Sequence, residues 1–568
     1  TNGGQLTSGT FGAGDAGNIK VFVQGTATFD GTYLNGASSG AFSAVAPGAR
    51  GRGGNIELTA DNLTLTNGAG LAADTAGIGD AGNIVLTVPG TVVLARTSLD
   101  AQFSGVISTS VFPGAIGKGG NLDLSAGTLT VRDGGILAAD TAGTGDAGNI
   151  QLRVQGAVTF DGTTPNGQGR SGAFSSVVSG AVGKGGNIDV TAESFTLSNG
   201  AVLSANTEGV GDAGNITLNI NTFNAFANAR VGARTATAGS AGNIVINARD
   251  RVVLSGAGTG LFANTDPGST GNGGSITIDP RLVRIEDGAT IAVDSQGSGI
   301  GGNISIRADR LELDRRGSIT AETANSQGGN INLDVSELIL LRRNSLISAT
   351  AGNAQAGGDG GNITMRSPFI VGVLGENSDI TANAFSGRGG NINIFTNAIY
   401  GLQFQPRLTP FSDITASSQL GISGTVTIQT LNVDPNRGLA TLPVNFVEPT
   451  GQIRDRCSPG GRLGKKTNEF VVTGRGGVPE SPTSPIDGSR TLVEPTDLVE
   501  EKAEGRGQRI NSKFKIQNSK LVSSSSSPII EAQGWAIAPD GSVLLVAHTP
   551  QASLNSGWQP TLHCDEVP

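Results

Sequence analysis

Gly17-Asn18-Ile19 is the first full copy of a tripeptide that returns along most of the 568-residue chain. With Asn, or the residue that replaces it, as the marker, successive copies lie 27 to 38 residues apart. A repeat of this length is typical of a solenoid, whose units bury their apolar faces only by stacking on each other. The markers are Asn18, Asn55, Asn83, Asn121, Asn149, Asn187, Asn215, Asn243, Ser275, Asn303, Asn330, Asn362, Asn391 and Thr425.

One short repeat indicates what each unit contains. In residues 54–59, Gly-Asn-Ile-Glu-Leu-Thr, apolar and polar residues alternate as in a half-buried strand. Residues 63–66 alternate again after a polar turn, and residues 71–73 form a third short apolar piece. Three strands without helical periodicity predict one coil of a parallel β-helix. We therefore expect an all-β, right-handed parallel β-helix of about 14 three-strand coils over residues 1–432, with coils about 4.8 Å apart.

The three residues of the marker have separate predicted roles. Gly precedes every marker, which fits a corner that needs either a positive φ or a close approach of two backbones. Ile is expected to build the core, and the Asn side chains are expected to hydrogen-bond from coil to coil. This structural Asn ladder comprises Asn18, Asn55, Asn83, Asn121, Asn149, Asn187, Asn215, Asn243, Asn303, Asn330, Asn362 and Asn391.

The position three residues before each marker forms a second vertical series. Over the first seven coils its charge alternates in sign, so stacked neighbours attract, and a slip of one coil would bring like charges together. We expect an exposed charge ladder in which each pair contributes only about 0.2–1 kcal/mol. Its members are Asp15, Arg52, Asp80, Lys118, Asp146, Lys184 and Asp212.

The longer repeats carry extra residues mostly between their second and third strands, as in residues 30–41 and 161–173. Up to Asn243 the long and short repeats largely alternate, so these inserted loops are expected to project from one side of the rod at every second coil. Loops on a rigid scaffold commonly carry recognition. Tolerated insertions without any ligand are an equal alternative.

A carbohydrate-active enzyme, a polysaccharide lyase or hydrolase, is the alternative function, because parallel β-helices include such enzymes. Their sites need two or three acids or bases that converge at one place. Here most acids recur by repeat position, and both histidines lie outside the repeats. The loop residues Asp30, Asp100 and Asp161 remain candidates. We otherwise assign no catalytic, cofactor-binding or metal-binding residue.

Composition argues against several functional classes. The net charge is -9 and positive charge is not gathered into a stripe, which disfavours nucleic-acid binding. No apolar run reaches the roughly 18 residues of a membrane span. The two cysteines exclude a cysteine-rich metal cluster, and the nonapeptide pattern of calcium-binding β-rolls is missing. No cofactor is therefore expected.

The repeat pattern ends near residue 432. We expect an end cap and exit segment over residues 433–479, a disordered low-complexity linker over 480–528 and a short β-hairpin segment over 529–568. Cys457 and Cys564 are a candidate disulfide, which an oxidising compartment would favour. Two free buried thiols are the alternative.

Several motifs resemble one family. They are Gly-x-Gly-Asp-Ala-Gly-Asn-Ile, as in residues 77–84, then Val-Asp-Pro-Asn-Arg-Gly-Leu at 433–439, the stretch 470–479, and Glu-Ala-Gln-Gly-Trp at 531–535. On these motifs the chain is similar to the filamentous haemagglutinin-type exoproteins of two-partner secretion, in the version common in cyanobacteria. We expect the signal and N-terminal secretion domain of that family to be missing from this chain.

The resemblance implies a secreted β-helical protein that is exported through a dedicated outer-membrane transporter. It implies a location outside the cell or on the outer-membrane surface, with cell-surface or extracellular carbohydrate or protein as the further partner. We therefore expect a structural or adhesin-like protein that binds its ligand through loops on the rod.

Overall fold

The computed structural model of the protein describes residues 1–32, 38–96, 104–167, 169–353 and 355–430, together with two strands near the C-terminus. The chain divides into two units, Thr1–Asn445 and Phe446–Pro568. In the first unit the described secondary structure is β-strand apart from one 3₁₀ turn, Leu374–Glu376.

Each coil begins with a long strand directly after the marker, and in some coils this strand is divided into two pieces. Within the described ranges the long strands lie in fourteen rows, which make thirteen turns. They are β2 (Ile19–Asp30), β4 (Ile56–Thr66), β6 (Ile84–Ala95), β8 (Leu122–Arg132), β10 (Ile150–Val154), β11 (Ala157–Asp161), β13 (Ile188–Ser198), β15 (Ile216–Phe226), β17 (Ile244–Ser255), β19 (Ile276–Asp279), β20 (Leu282–Glu286), β22 (Ile304–Asp314), β24 (Ile331–Leu341), β26 (Ile363–Arg366), β27 (Phe369–Val371), β29 (Ile392–Thr396), β30 (Ala398–Tyr400) and β33 (Val426–Thr430).

A short strand follows the long one, and the short strands that the structure describes form a second sheet of fifteen strands along the rod. Its strands are β1 (Gln5–Thr7), β3 (Gly40–Phe42), β5 (Gly70–Ala72), β7 (Val106–Ser108), β9 (Ile136–Ala138), β12 (Gly172–Phe174), β14 (Val202–Ser204), β16 (Arg230–Gly232), β18 (Gly260–Phe262), β21 (Thr290–Ala292), β23 (Ser318–Thr320), β25 (Leu346–Ser348), β28 (Asp379–Thr381), β31 (Gln403–Phe404) and β32 (Asp413–Thr415).

Among the described residues, all strand pairings of the rod are parallel, and equivalent positions pair from coil to coil. Ile150 pairs with Ile188, and Ile188 pairs with Ile216. Where the long strand is divided, β10 and β11 both pair with β8 on one side and β13 on the other, so the sheet continues across the division. The predicted all-β parallel β-helix is confirmed. The right-handed winding of its coils stays a prediction.

The core fills the inside of the coils, because alternation along each long strand turns every second side chain inward. In β13, Ile188 and Val190 are fully buried. Beyond the bend of the strand, Phe195 packs between Phe160 and Phe223, with ring centroids 5.2 and 5.8 Å away. Such aromatic pairs contribute roughly 0.5–1.5 kcal/mol beyond the burial of their area. Like side chains therefore stack on like along the rod.

The glycine before each marker is required by close packing and not by a left-handed backbone. A Cβ on Gly186 would lie 1.9 Å from the carbonyl oxygen of Gly148, and a Cβ on Gly214 would lie 1.9 Å from that of Gly186. Neither Gly186 nor Gly214 has a positive φ. Of the two reasons that the sequence allows, the structure selects the close approach of neighbouring coils.

In the second unit the described elements are β34 (Gly534–Ile537) and β35 (Val543–Val546), which pair antiparallel with Trp535 opposite Leu545. They lie within the segment predicted to form a hairpin. The predicted end cap, the predicted linker, and Cys457 and Cys564 all lie outside the described residues.

Gly214→Ala is expected to destabilise the rod by about 3 kcal/mol, because its Cβ would push two backbones apart and relaxation can absorb only part of the overlap. Gly357→Ala is the matched control, since a Cβ there would meet no atom within 4 Å. Urea unfolding followed by circular dichroism measures the difference. Equal midpoints for the two variants would contradict the packing explanation.

Candidate functional site

The marker Asn residues form a series of side chain to backbone hydrogen bonds along one exposed corner. The backbone N–H of Asn187 donates to Oδ1 of Asn149 at 2.8 Å, and that of Asn215 donates to Oδ1 of Asn187 at 2.9 Å. The side chain of Asn215 adds a bond of 3.2 Å to the same oxygen. The Asn oxygens thus complete the backbone hydrogen bonding of the corner. The other backbone donors to a marker Asn are Asn55, Asn83, Asn121, Asn149, Asn243, Ser275, Asn330, Asn362 and Asn391.

The charged positions before the markers form a parallel row, in which the acids also bind backbone. Oδ1 of Asp80 accepts the N–H of Lys118 at 2.8 Å, and Oδ1 of Asp146 accepts that of Lys184 at 3.0 Å. Ion pairs join Lys118 to Asp146 at 3.4 Å and Lys184 to Asp212 at 3.8 Å. Because these side chains are largely exposed, the ion pairs stabilise only weakly. The backbone donors along this row are Arg52, Lys118, Lys184, Ser240, Ile300 and Arg388.

Asp30 and Asp161, the two described loop acids considered for an enzymatic site, do not converge. Asp30 and Asp161 occupy the same position in coils that are four apart, a separation of about 19 Å. Oδ1 of Asp30 accepts hydrogen bonds from the side chains of Thr66 and Asn67 at 2.6 and 2.7 Å, and Asp161 makes the equivalent bonds. Each acid ties its corner to the next coil. Asp100 lies outside the described residues.

A third series of side-chain acceptors lies two residues after the short strands, and the marker spacing does not single it out. Oδ1 of Asp74 accepts the N–H of Ser110 and the hydroxyl of Ser108, both at 2.6 Å. Oδ1 of Asp140 accepts the N–H of Ser176 at 2.6 Å. An Asp or Asn two residues after each short strand is the sequence pattern that could have predicted this series. The other acceptors of this kind are Asn206, Asn264, Asp294 and Asn383.

Three acids of this third series have strongly altered titration. Burial raises the pKa of Asp74, Asp140 and Asp294 to about 6, because the carboxylate is removed from water. Hydrogen bonds from neighbouring backbone N–H groups and from serine or threonine hydroxyls lower the pKa but offset only part of this effect. At neutral pH the rod therefore holds buried charge where a neutral Asn supplies the same acceptor in other coils.

The outer face of the short-strand sheet forms the floor of a groove with two neighbouring cavities. One of about 660 Å³ lies over β5, β7 and β9, and one of about 720 Å³ lies over β12, β14, β16 and β18. Asp140, Arg170 and Phe174 line both cavities, so the two adjoin each other along the sheet. Ser38 and Gly169, from the loops before β3 and β12, form part of the wall. We call this feature the short-strand groove.

Three phenylalanines give the short-strand groove an apolar floor. Phe42, Phe174 and Phe262 each end a short strand and are partly exposed. The register places Phe174 four coils from Phe42 and three coils from Phe262, or about 19 and 14 Å. A Cβ on Gly40 or Gly260 would lie 2.9 Å from the tip of the ring in the same strand. The sequence Gly-x-Phe therefore lets the ring lie over its own strand.

Three arginines lie together in the larger cavity. Arg170, Arg230 and Arg234 all line it. Nε of Arg230 donates to the carbonyl oxygen of Gly258 at 3.1 Å, and its guanidinium carbon lies 5.8 Å from the centre of the Phe262 ring. Burial, and then the charges of Arg170 and Arg234, lower the pKa of Arg230. Their positive charges therefore repel one another.

Another surface cavity is larger but chemically plainer. It measures about 830 Å³, lies on the bend of the long strands and has no aromatic ring among its lining residues. Its one arginine, Arg153, is bound to Asp123 at 2.7 Å. Ligand sites usually combine apolar or aromatic walls with a few convergent polar groups. The short-strand groove fits this description better and is the candidate site.

An ion-pair network occupies the corner before the short strands in the later coils, where earlier coils carry loops. Arg315 contacts Asp287 and binds Asp314 at 2.8 Å, and Arg343 also contacts Asp314. Hydrogen bonds from Arg315 hold the pKa of Asp287 at about 2. Sequence reasoning missed this network, although its acids and arginines recur one coil apart. Its partners are all on the chain itself, which marks it as structural.

Within the described residues, no group of three or more His, Cys, Asp or Glu side chains could hold a metal ion. No helix in the described part of the chain is long and apolar enough to cross a membrane. Comparisons with protein-family models, curated proteins and solved structures found no match. The similarity to haemagglutinin-type exoproteins therefore stays a resemblance carried by sequence motifs.

Asp140→Asn is expected to stabilise the protein at pH 7.5 and to have little effect at pH 4. The carboxyl of Asp140 has a pKa of about 6 when folded, against an ordinary value of 3.8. The folded chain therefore holds more protons between these values, and stability falls as the pH rises through this window. The difference between these two pKa values lowers the free energy of unfolding by up to about 3 kcal/mol above pH 6. Urea midpoints at the two pH values measure it.

The reverse substitution, Asn383→Asp, is the matched control, because Asn383 accepts the N–H of Ser417 in the equivalent place and lies away from the arginines of the groove. It should destabilise the protein at pH 7.5 and not at pH 4. An unchanged pH profile for Asp140→Asn would show that this carboxyl is not a source of the pH dependence.

Proposed function

We propose that the protein is a surface-exposed, adhesin-like β-helix that binds an extended carbohydrate chain in the short-strand groove. The observation that carries this proposal is the row of Phe42, Phe174 and Phe262 along a groove that also contains amide, carboxyl and guanidinium groups. The C–H faces of a sugar ring are apolar and pack on aromatic rings, whereas its hydroxyls need donors and acceptors. The groove offers both kinds of contact.

A linear polymer suits the groove better than a small molecule. From Phe42 to Phe262 the groove extends over seven coil steps, about 34 Å. A small molecule would fill one cavity, whereas a chain could use equivalent positions on successive coils. The floor consists of paired strands, so binding would order little of the protein and lose little conformational entropy.

The loops also belong to this proposal, in a narrower role than the sequence predicts. The loop residues Ser38, Gly169 and Arg170 line the groove, while the aromatic rings come from the short strands themselves. The loops would thus form one wall and the sheet the floor. Export through an outer-membrane transporter and a location on the cell surface are part of the proposal and rest on the resemblance alone.

A polysaccharide-cleaving enzyme is the second candidate, favoured by Asp74 and Asp140. Both line the groove, and a pKa of about 6 suits a general acid near neutral pH. They lie two coils apart, about 10 Å, near the 6.5–9.5 Å between the carboxyl groups of inverting glycosidases. Against this candidate, Asp74 is buried, Asp140 is partly buried, and both already accept backbone N–H groups. We therefore favour binding.

Phe174→Ala and Phe262→Ala are expected to weaken binding of the full chain to a linear neutral polysaccharide by about tenfold each, a loss of about 1.4 kcal/mol of aromatic contact. A β-glucan, a mannan and a galactan serve as probes in isothermal titration calorimetry. Phe226→Ala is the control, because Phe226 is also an exposed ring and lines none of the cavities described.

Binding of none of these neutral probes and of no acidic polysaccharide, or equal losses with Phe226→Ala, would contradict the proposal. Release of new reducing ends by the wild-type protein, abolished by Asp140→Asn, would replace it with the enzymatic candidate. Antibody against the rod should label intact source cells, and labelling only after lysis would remove the surface location.

A further inference from the structure

The arginine cluster lies in the 720 Å³ cavity of the short-strand groove, and its positive charge exceeds the negative charge of the carboxylates paired with it. Among the described residues, Arg234 is paired with Asp266, but neither Arg170 nor Arg230 has a carboxylate oxygen within 4 Å. Their hydrogen bonds go to backbone carbonyls, from Arg170 to Gly200 at 3.4 Å and from Nε of Arg230 to the next coil. Two guanidinium groups are therefore held near each other without a counter-charge.

The other acids of this cavity do not resolve the imbalance. Oδ1 of Asp140 accepts the backbone N–H of Ser176, and partial burial of its carboxyl raises the pKa to about 6. Glu208 is exposed to solvent and makes no ion pair with Arg170 or Arg230. The repulsion between the arginines costs free energy that an anion placed between them would remove.

We propose that Arg170, Arg230 and Arg234 form an anion subsite of the short-strand groove, which takes a carboxylate or sulfate group carried by an acidic polysaccharide. The polysaccharide part of this statement rests on the proposed function, and the anion part does not. Guanidinium groups present forked donors that match the two or three oxygens of such groups.

The position of Arg230 favours an oxoanion over a simple ion. Its Nε is occupied by Gly258 and its plane is supported by Phe262, and no described residue accepts a hydrogen bond from its two terminal nitrogens. The guanidinium is therefore fixed in place before a ligand arrives, which lowers the entropic cost of binding. Asn206 and Asn264, which line the same cavity, are placed to meet neighbouring hydroxyls of the chain.

Calorimetry with the full chain tests the subsite with four probes: inorganic sulfate, acetate, dextran sulfate and polygalacturonate. Arg230→Gln should weaken binding of the preferred anion, alone and on its polymer, by about tenfold or more. Arg230→Lys, which keeps the charge but loses the fork, should recover only part of the affinity. Arg281→Gln is the control, because Arg281 is an exposed arginine of another cavity and is paired with Asp309 at 3.4 Å.

A stronger response to dextran sulfate and sulfate identifies a tetrahedral group, and a stronger response to polygalacturonate and acetate identifies a carboxylate. Equal affinities for wild type, Arg230→Gln and Arg281→Gln would overturn the subsite, and so would no binding of any anion. Circular dichroism tests whether each variant is folded. If Arg230→Gln does not fold, Arg170→Gln replaces it in the same measurement.

The outcomes separate the two proposals. Loss of anion binding in Arg230→Gln with no polysaccharide bound by any variant would leave the anion subsite standing and remove the proposed function. Binding of a neutral polysaccharide that depends on Phe174 but not on Arg230, with no binding of any anion, would keep the proposed function and remove the anion subsite.

Discussion

The hydrogen bonds between coils are the constraint on which the rest of the rod depends. Strands supply them along the flat faces, but every coil must also turn corners, where backbone N–H groups lose their regular partners. Three vertical rows of Asn and Asp oxygens supply acceptors at such corners, as Asn149 does for Asn187. Glycine lets the backbones approach closely enough for these bonds to form, as Gly186 does above Gly148.

This stacking also explains how the groove arises. Because each position of one coil lies directly over its equivalent in the next, any side chain that faces outward becomes part of a row along the rod. The short strands place Phe174, Ser204 and Phe262 in one such row. A rigid row of spaced rings and polar groups fits a ligand that itself repeats. The same registry holds Arg170 and Arg230 near each other despite their mutual repulsion.

The sequence predicts this fold well, because the alternation of buried and exposed side chains along a strand recurs in every coil. The marker gives the long strands, and its Ile gives a core position in every coil. It also places Asn187 and Asp146 on exposed corners, although their main partners are backbone N–H groups and not the side chains expected.

The candidate site is less readable from sequence, for physical reasons. The burial of Asp140 depends on what packs around a corner, and the spacing of the repeat does not encode it. Phe174 reads as one more residue of a short strand until the register places it in line with Phe262. The Arg170 cluster joins a loop to strands two coils further along, and loop conformation is poorly determined by local sequence. The repeat therefore predicts which residues stack in one row along the rod. Which rows lie next to each other is seen only in the structure.

Hydrogen exchange of the corner amides tests the central claim most directly. Wild type and Asn149→Ala would be compared by mass spectrometry at single-residue resolution. The N–H of Asn187 lies on an exposed corner and should nevertheless be protected in wild type, then exchange faster by about tenfold or more in Asn149→Ala. The N–H of Ile188, bound to the carbonyl of Asn215 at 2.9 Å, should stay protected in both. Exchange of Asn187 at the rate of a free amide in wild type, or a rate unaffected by the substitution, would contradict the account.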